Sequence, residues 1–193
     1  VCVCIGSGGG FIPRLMTQAR KDLWEQKIFE GNNSTEWGDI GTTIIIDAAN
    51  GVGGFTDWTE ENSFLRQHFS PQVILDTSEK AFYDYFVRQD IKIDYLHIDG
   101  DHSYEGVKKD FELYSTIMAE NGIITIHDID QNYHDTFVVT ENAKEDFVPF
   151  DGPGKFIKEL EEDKKWNLVS LKNFRMFDKK VTSTGLALLT KKA

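Results

Sequence analysis

Asp99 and His102, followed by His127 and Asp128, are residue types that do chemistry. Carboxylates with an imidazole beside them can hold a divalent cation, with carboxylate oxygens at roughly 2.1–2.5 Å. Asp99, His127 and Asp128 are the candidate ligands. An oxygen and nitrogen set with positions left for water and substrate suits Mg2+, Mn2+ or Fe2+. The plainer alternative is that His127 and Asp128 cap a loop. Asp101 more naturally caps a helix starting near Ser103.

Three further sets belong with these. Gly6-Ser7-Gly8-Gly9-Gly10 is a turn whose glycines let backbone pass close to a ligand. It reads G-x-G-x-G. The dinucleotide fingerprint G-x-G-x-x-G would place its third glycine at position 11, which is Phe11. Asp47 could accept two hydrogen bonds from a ribose diol. Asp76, Thr77 and Ser78 follow at the place where an adenine ring would lie.

Each set follows an apolar run. Val1–Ile5, Thr42–Ile46, Val73–Leu75, Ile91–Ile98 and Ile123–Ile126 read as five buried parallel strands. In an open parallel sheet, ligands bind at the carboxyl ends of the strands, which is where all five sets fall. Between the runs lie helical patterns. Ile12, Leu15, Met16, Ala19 and Leu23 carry helical spacing, with Pro13 in the first turn. Glu60–Phe69 is a weak helix. Ser78 is the expected N-cap of a helix with Phe82, Tyr85 and Phe86 on one face. Val107, Phe111, Tyr114 and Met118 mark another, ended by Asn121-Gly122. Gln131–Phe150 is a polar loop or lid. A helix from Asp151-Gly152-Pro153 to Lys165 precedes two strands, near Asn167–Leu171 and Gly185–Thr190, expected to pair antiparallel as an edge hairpin. The reading is one α/β domain over residues 1–193, with material before its first strand missing.

The chain has 193 residues, of which 21 are Lys or Arg and 32 are Asp or Glu, for a net charge of −11. With no basic cluster, a nucleic-acid grip through phosphates is not expected. No apolar run approaches the roughly 18 residues of a membrane span, and no leader opens the chain. The two cysteines, Cys2 and Cys4, lie two apart in one run and cannot readily bridge, so a reducing cytoplasm is expected. The oligomeric state is open, a homo-oligomer included.

The segment Ile93-Asp94-Tyr95-Leu96-His97-Ile98-Asp99-Gly100-Asp101-His102-Ser103-Tyr104-Glu105-Gly106-Val107, with Gly122-Ile123-Ile124-Thr125-Ile126-His127-Asp128, resembles the class I S-adenosylmethionine-dependent methyltransferases. Within them it is most similar to the methyltransferase 24 group, which includes macrocin-type sugar O-methyltransferases and is related to catechol O-methyltransferases. The resemblance implies a Rossmann-like seven-stranded sheet in the order 3-2-1-4-5-7-6, helices on both faces and the last strand antiparallel. It implies methyl transfer from S-adenosylmethionine to a hydroxyl of a small molecule, a sugar or vicinal diol, assisted by Mg2+ or another divalent cation. Gly6, Ser7, Gly8 and Gly10 would lie along the cofactor, Asp47 on its ribose, and Asp76, Thr77 and Ser78 beside its adenine. Asp99 would face both cofactor and cation, with His127 and Asp128 as further ligands and His102 as general base. Two positions depart from the pattern. Cys4 stands where an acid is common, and His127 where an acid or amide often begins the strand-five pair. A nicotinamide-linked dehydrogenase and a metal-dependent hydrolase are the alternatives; the missing third glycine and the terminal strands speak against the former.

Overall fold

The computed structural model describes residues 1–8, 10–32, 36, 40–48, 67, 69–130, 152–171, 174–177 and 180–192. The expected weak helix at 60–69 lies largely outside them, and the expected loop or lid at 131–150 entirely so. The apolar runs form a seven-stranded sheet in the order β3-β2-β1-β4-β5-β9-β6. Since β9 is its seventh member in chain order, this is the anticipated 3-2-1-4-5-7-6. The chain divides into two compact units, Val1–Asp94 and Tyr95–Ala193.

In the first unit, β1 (Cys2–Ile5) pairs parallel with β2 (Thr43–Ile46), and β2 pairs parallel with β3 (Gln72–Ile74). Val3, Cys4 and Ile44–Ile46 are essentially without solvent exposure, as continuous runs in a doubly covered sheet should be. Helix α1 (Phe11–Phe29) buries Pro13, Met16, Thr17 and Arg20, a stripe at i, i+3, i+4, i+7. Leu15, Ala19 and Leu23 are exposed, so the buried face is turned from the one the apolar residues mark. The cause is polar pairing: Thr17 Oγ1 donates to Pro13 O at 3.0 Å and lies 3.2 Å from Thr43 Oγ1, while Arg20 reaches Gly41 O. After β3, Thr77 rather than Ser78 is the N-cap of α2 (Ser78–Ala81), its side chain accepting from Lys80 N. Helix α2 runs into one π-helical stretch, Phe82–Val87. Phe82 and Phe86 are buried there, while the Tyr85 hydroxyl donates to Gln72 Oε1 at 2.7 Å.

The second unit begins within β4 (Ile93–Ile98). Helix α3 (Tyr104–Tyr114) buries Val107, Phe111 and Tyr114. A single 3-10 turn follows, and β5 (Met118–His127) is ten residues long. Met118 therefore opens a strand, and Asn121-Gly122 lies inside it rather than ending the helix. Helix α4 is Gly152–Glu162. Phe156 from α4 and Trp166 both meet the Phe111 ring, at centroid distances of 5.3 and 5.1 Å. Strand β6 (Trp166–Leu171) pairs antiparallel with β9 (Leu186–Lys191), and β9 pairs antiparallel with β5. The two terminal strands do pair, but not as a simple hairpin. A separate antiparallel pair, β7 (Phe174–Phe177) and β8 (Lys180–Ser183), stands between them in the chain. Among the described residues, no helix is long and apolar enough to cross a membrane.

Candidate active site

The first unit carries the glycine turn. Gly6 N donates to Ile46 O at 2.8 Å, and Gly10 N to Ser7 O at 2.7 Å. Gly6, Gly8 and Gly10 have φ of 79°, 45° and 72°, a left-handed path that side chains strain to follow. A Cβ added at Gly8 would meet nothing within 4 Å, so the backbone there faces open space. Asp47 Oδ2 accepts from Ser7 N at 2.8 Å and from the Ser7 hydroxyl. The sequence-predicted Gly6, Ser7, Gly8, Gly10 and Asp47 thus form one assembly. Asp76 is committed to its own turn: Oδ1 accepts from Thr77 N at 2.9 Å, and Oδ2 pairs with Lys80. The Lys80 bond, then the Thr77 amide, hold the Asp76 carboxyl below its ordinary pKa.

In the second unit, alternation along the strands does the positioning. Tyr95, His97 and Asp99 are two apart along β4 and its end; Thr125 and His127 are two apart on β5. Tyr95 Oη and His97 Nδ1 each lie 2.9 Å from Thr125 Oγ1. His127 Nδ1 is 3.3 Å from Asp99 Oδ1. Asp128 would point to the opposite face if the strand continued. Instead its φ is 55°, a left-handed conformation that Asp tolerates better than most residues. Its amide donates to Gly185 O at 3.1 Å. The reversal puts Asp128 Oδ1 3.0 Å from His127 Nδ1 and Oδ2 3.1 Å from His102 Nε2.

His102 completes the cluster, its Nε2 3.3 Å from Asp99 Oδ1. Its backbone is fixed from two sides. Asp101 Oδ1 accepts from Ser103 N at 2.8 Å, and Ser103 Oγ caps α3 by accepting from Gly106 N at 3.0 Å. Asp101 therefore orders the turn before the cap, and Ser103 is the cap. Gly152 of α4 packs on the same segment, where an added Cβ would lie 2.3 Å from Tyr104 N and 2.4 Å from His102 O.

Two carboxylates and two imidazoles so close reshape one another's protonation. Burial opposes charge on His102, but Asp128 and Asp99 outweigh it and raise its pKa to about 9. The same balance raises His127 to about 10. Burial would raise Asp99, but His102 and His127 pull it down to about 2, and they lower Asp128 also. His97, 1% exposed, is dominated by burial and falls to about 4. Left to themselves, Asp99 and Asp128 are anions balanced by two imidazolium rings.

The donor set fits a cation. Ligand-type atoms of Asp99, His102 and Asp128 all lie within 4.8 Å of one another. His127 Nδ1 and Asp128 Oδ1 are buried and have no aligned hydrogen-bond partner. Within an apolar strand, His97 reads as a core histidine with its hydrogen bonds satisfied. It is buried, but its Nε2 has no hydrogen bond and lies 3.9 Å from Asp99 Oδ2. The i, i+2 relation to Asp99, with Thr125 in the same relation to His127, was the signal for this second layer.

Comparison with known proteins follows the same lines. The family model described as "Methyltransferase domain" matches residues 3–129. The chain belongs to this methyltransferase-domain family, the methyltransferase 24 group, which decides against the nicotinamide-linked and hydrolytic alternatives. No curated protein sequence matches. Among solved structures, cofactor-bound Rv0187 from MTB superposes with a TM-score of 0.62 at 12% identity, over 97% of this chain and 71% of that one. The O-methyltransferase TomG from Streptomyces achromogenes, in complex with SAM, gives 0.61 at 11% identity, over 100% and 73%. The O-methyltransferase from Bacillus cereus, in complex with SAH, gives 0.58 at 11%, over 99% and 73%. At these identities the likeness is one of fold.

Proposed function

We propose that this chain transfers a methyl group from S-adenosylmethionine to a hydroxyl of a small-molecule acceptor, a sugar or vicinal diol, with the help of a divalent cation. The observation that carries the reading is the half-buried cluster of Asp99, His102 and His127 around the buried Asp128, with contacts of 3.0–3.3 Å. Family membership and the O-methyltransferases among the structural neighbours support the reaction type.

S-adenosylmethionine supplies a methyl already activated as a sulfonium, so the protein has to align the acceptor oxygen and take its proton. Gly6, Ser7, Gly8 and Gly10 give the cofactor a backbone wall without side chains. Asp47 takes the ribose hydroxyls, Asp76, Thr77 and Ser78 border the adenine, and Asp99 contributes on the cofactor side. Asp99, His127 and Asp128 hold the cation. That cation supplies Lewis acidity, which makes an acceptor hydroxyl easier to ionise at neutral pH. His102 receives the hydroxyl proton. Its pKa of about 9 without a cation reflects the two carboxylates. A cation held by Asp99 and Asp128 would compete with His102 for their charge and would so lower its pKa toward that of an ordinary imidazole.

The test is methyl transfer to a catechol-type diol by the full chain, with and without EDTA, and by Asp128→Ala and His102→Ala. Loss of at least about a hundredfold is expected for His102→Ala, as for removal of a general base. EDTA and Asp128→Ala should each suppress turnover. Full activity in all three cases would contradict the cation-and-base reading.

A further inference from the structure

We propose that this centre takes a first-row transition cation, such as Mn2+, Fe2+, Co2+ or Zn2+, in preference to Mg2+. The proposal rests on the cation-assisted reading above and deepens it by naming the class of ion.

The argument is one of donor chemistry. Four groups converge, and only Asp99 and Asp128 offer oxygen. Any three of the four therefore include at least one imidazole nitrogen. This holds whichever ring binds. His127 Nδ1 stands 3.3 Å from Asp99 Oδ1 and 3.0 Å from Asp128 Oδ1, and His102 Nε2 stands 3.3 and 3.1 Å from the same two carboxylates. Mg2+ demands oxygen donors in near-ideal octahedral geometry and gives up water reluctantly. A mixed imidazole and carboxylate set suits first-row transition cations, with affinity rising from Mn2+ through Fe2+ to Co2+.

Two features single out His127. Its Nδ1 is buried without an aligned hydrogen-bond partner, and so is the neighbouring Asp128 Oδ1. The left-handed backbone at Asp128 brings adjacent residues to one side, where an extended strand would separate them. A backbone held in a sparsely populated region to turn a nitrogen and an oxygen toward one point is what a chelating pair requires.

The test uses the full chain stripped of metal. Calorimetric competition between Mn2+ and Mg2+ should favour Mn2+ by about tenfold or more. Pulsed electron paramagnetic resonance of the Mn2+-loaded protein should show nitrogen hyperfine coupling from a bound imidazole. This second readout needs no variant and so is independent of any folding defect. His127→Glu should narrow the Mn2+ to Mg2+ ratio. Equal affinity for the two ions, or absence of nitrogen coupling, would each overturn the proposal; an unchanged ratio in His127→Glu would overturn the choice of His127 as the nitrogen ligand. A separate titration with S-adenosylmethionine reports on the methyltransferase reading: failure there leaves the ion preference standing, and the reverse also holds.

Discussion

Asp128 joins backbone strain to charge. The residue is 6% exposed, on a φ of 55°, and its carboxylate serves both His102 and His127. From the sequence, His127-Asp128 after an apolar run was legible as a candidate ligand pair. The reversal that lets neighbours meet was not, because it depends on a bond from Asp128 N to Gly185 O, far along the chain. The protonation of the cluster sets a pH dependence for the cation-free protein. His102 and His127 are raised to about 9 and about 10, so their contribution to stability is complete below their unfolded pKa of about 6.5. It is lost as pH rises through 9 and 10. Asp99, lowered to about 2, contributes above its unfolded value of about 3.9 and loses that contribution as pH falls toward 2. Thermal unfolding of the chelator-treated protein should therefore show a falling midpoint between pH 7 and 10. A midpoint flat across that interval would contradict the paired arrangement.

The elements around the site were partly legible. All four acid-bearing turns follow strands that end close to where the apolar runs placed them, because buried parallel strands are continuous apolar runs. The buried face of α1 was not readable, since Thr17 and Arg20 go inside to satisfy Thr43 and Gly41. The early start of β5 was hidden by Asn121-Gly122, a pair that ordinarily ends helices but here lies in a strand. The short pair β7 and β8 gave no clear alternation. Helix α4 has a role no motif announces: Gly152 packs on the backbone at His102 and Tyr104. Gly152→Ala should destabilise the protein by about 1–3 kcal/mol, as overpacking does, and reduce methyl transfer by displacing His102. Chemical denaturation measures the first effect and turnover the second. An unchanged denaturation midpoint would show that α4 yields without cost.

The whole molecule distributes the work between its two units. Val1–Asp94 carries Gly6, Ser7, Gly8, Gly10, Asp47 and Asp76–Ser78, the groups assigned to the nucleoside. Tyr95–Ala193 carries Asp99, His102, His127 and Asp128, the groups assigned to proton and cation. The strand order was accessible only through the resemblance carried by the Asp99–Val107 and Gly122–Asp128 segments, since periodicity alone does not say which strands are neighbours. Ligand binding should appear as stabilisation of the native state. S-adenosylmethionine at a hundred times its Kd should add about 2.7 kcal/mol, and NAD nothing measurable. A thermal shift with NAD and none with S-adenosylmethionine would reverse the assignment of the glycine turn. The most direct measurement is mass spectrometry of a vicinal diol incubated with S-adenosylmethionine and the unmodified chain, cation-loaded in one arm and chelated in the other. The account predicts an O-methylated diol and S-adenosylhomocysteine in the loaded arm, and neither in the chelated arm. An unmethylated diol in the loaded arm, or equal product in both, would contradict it.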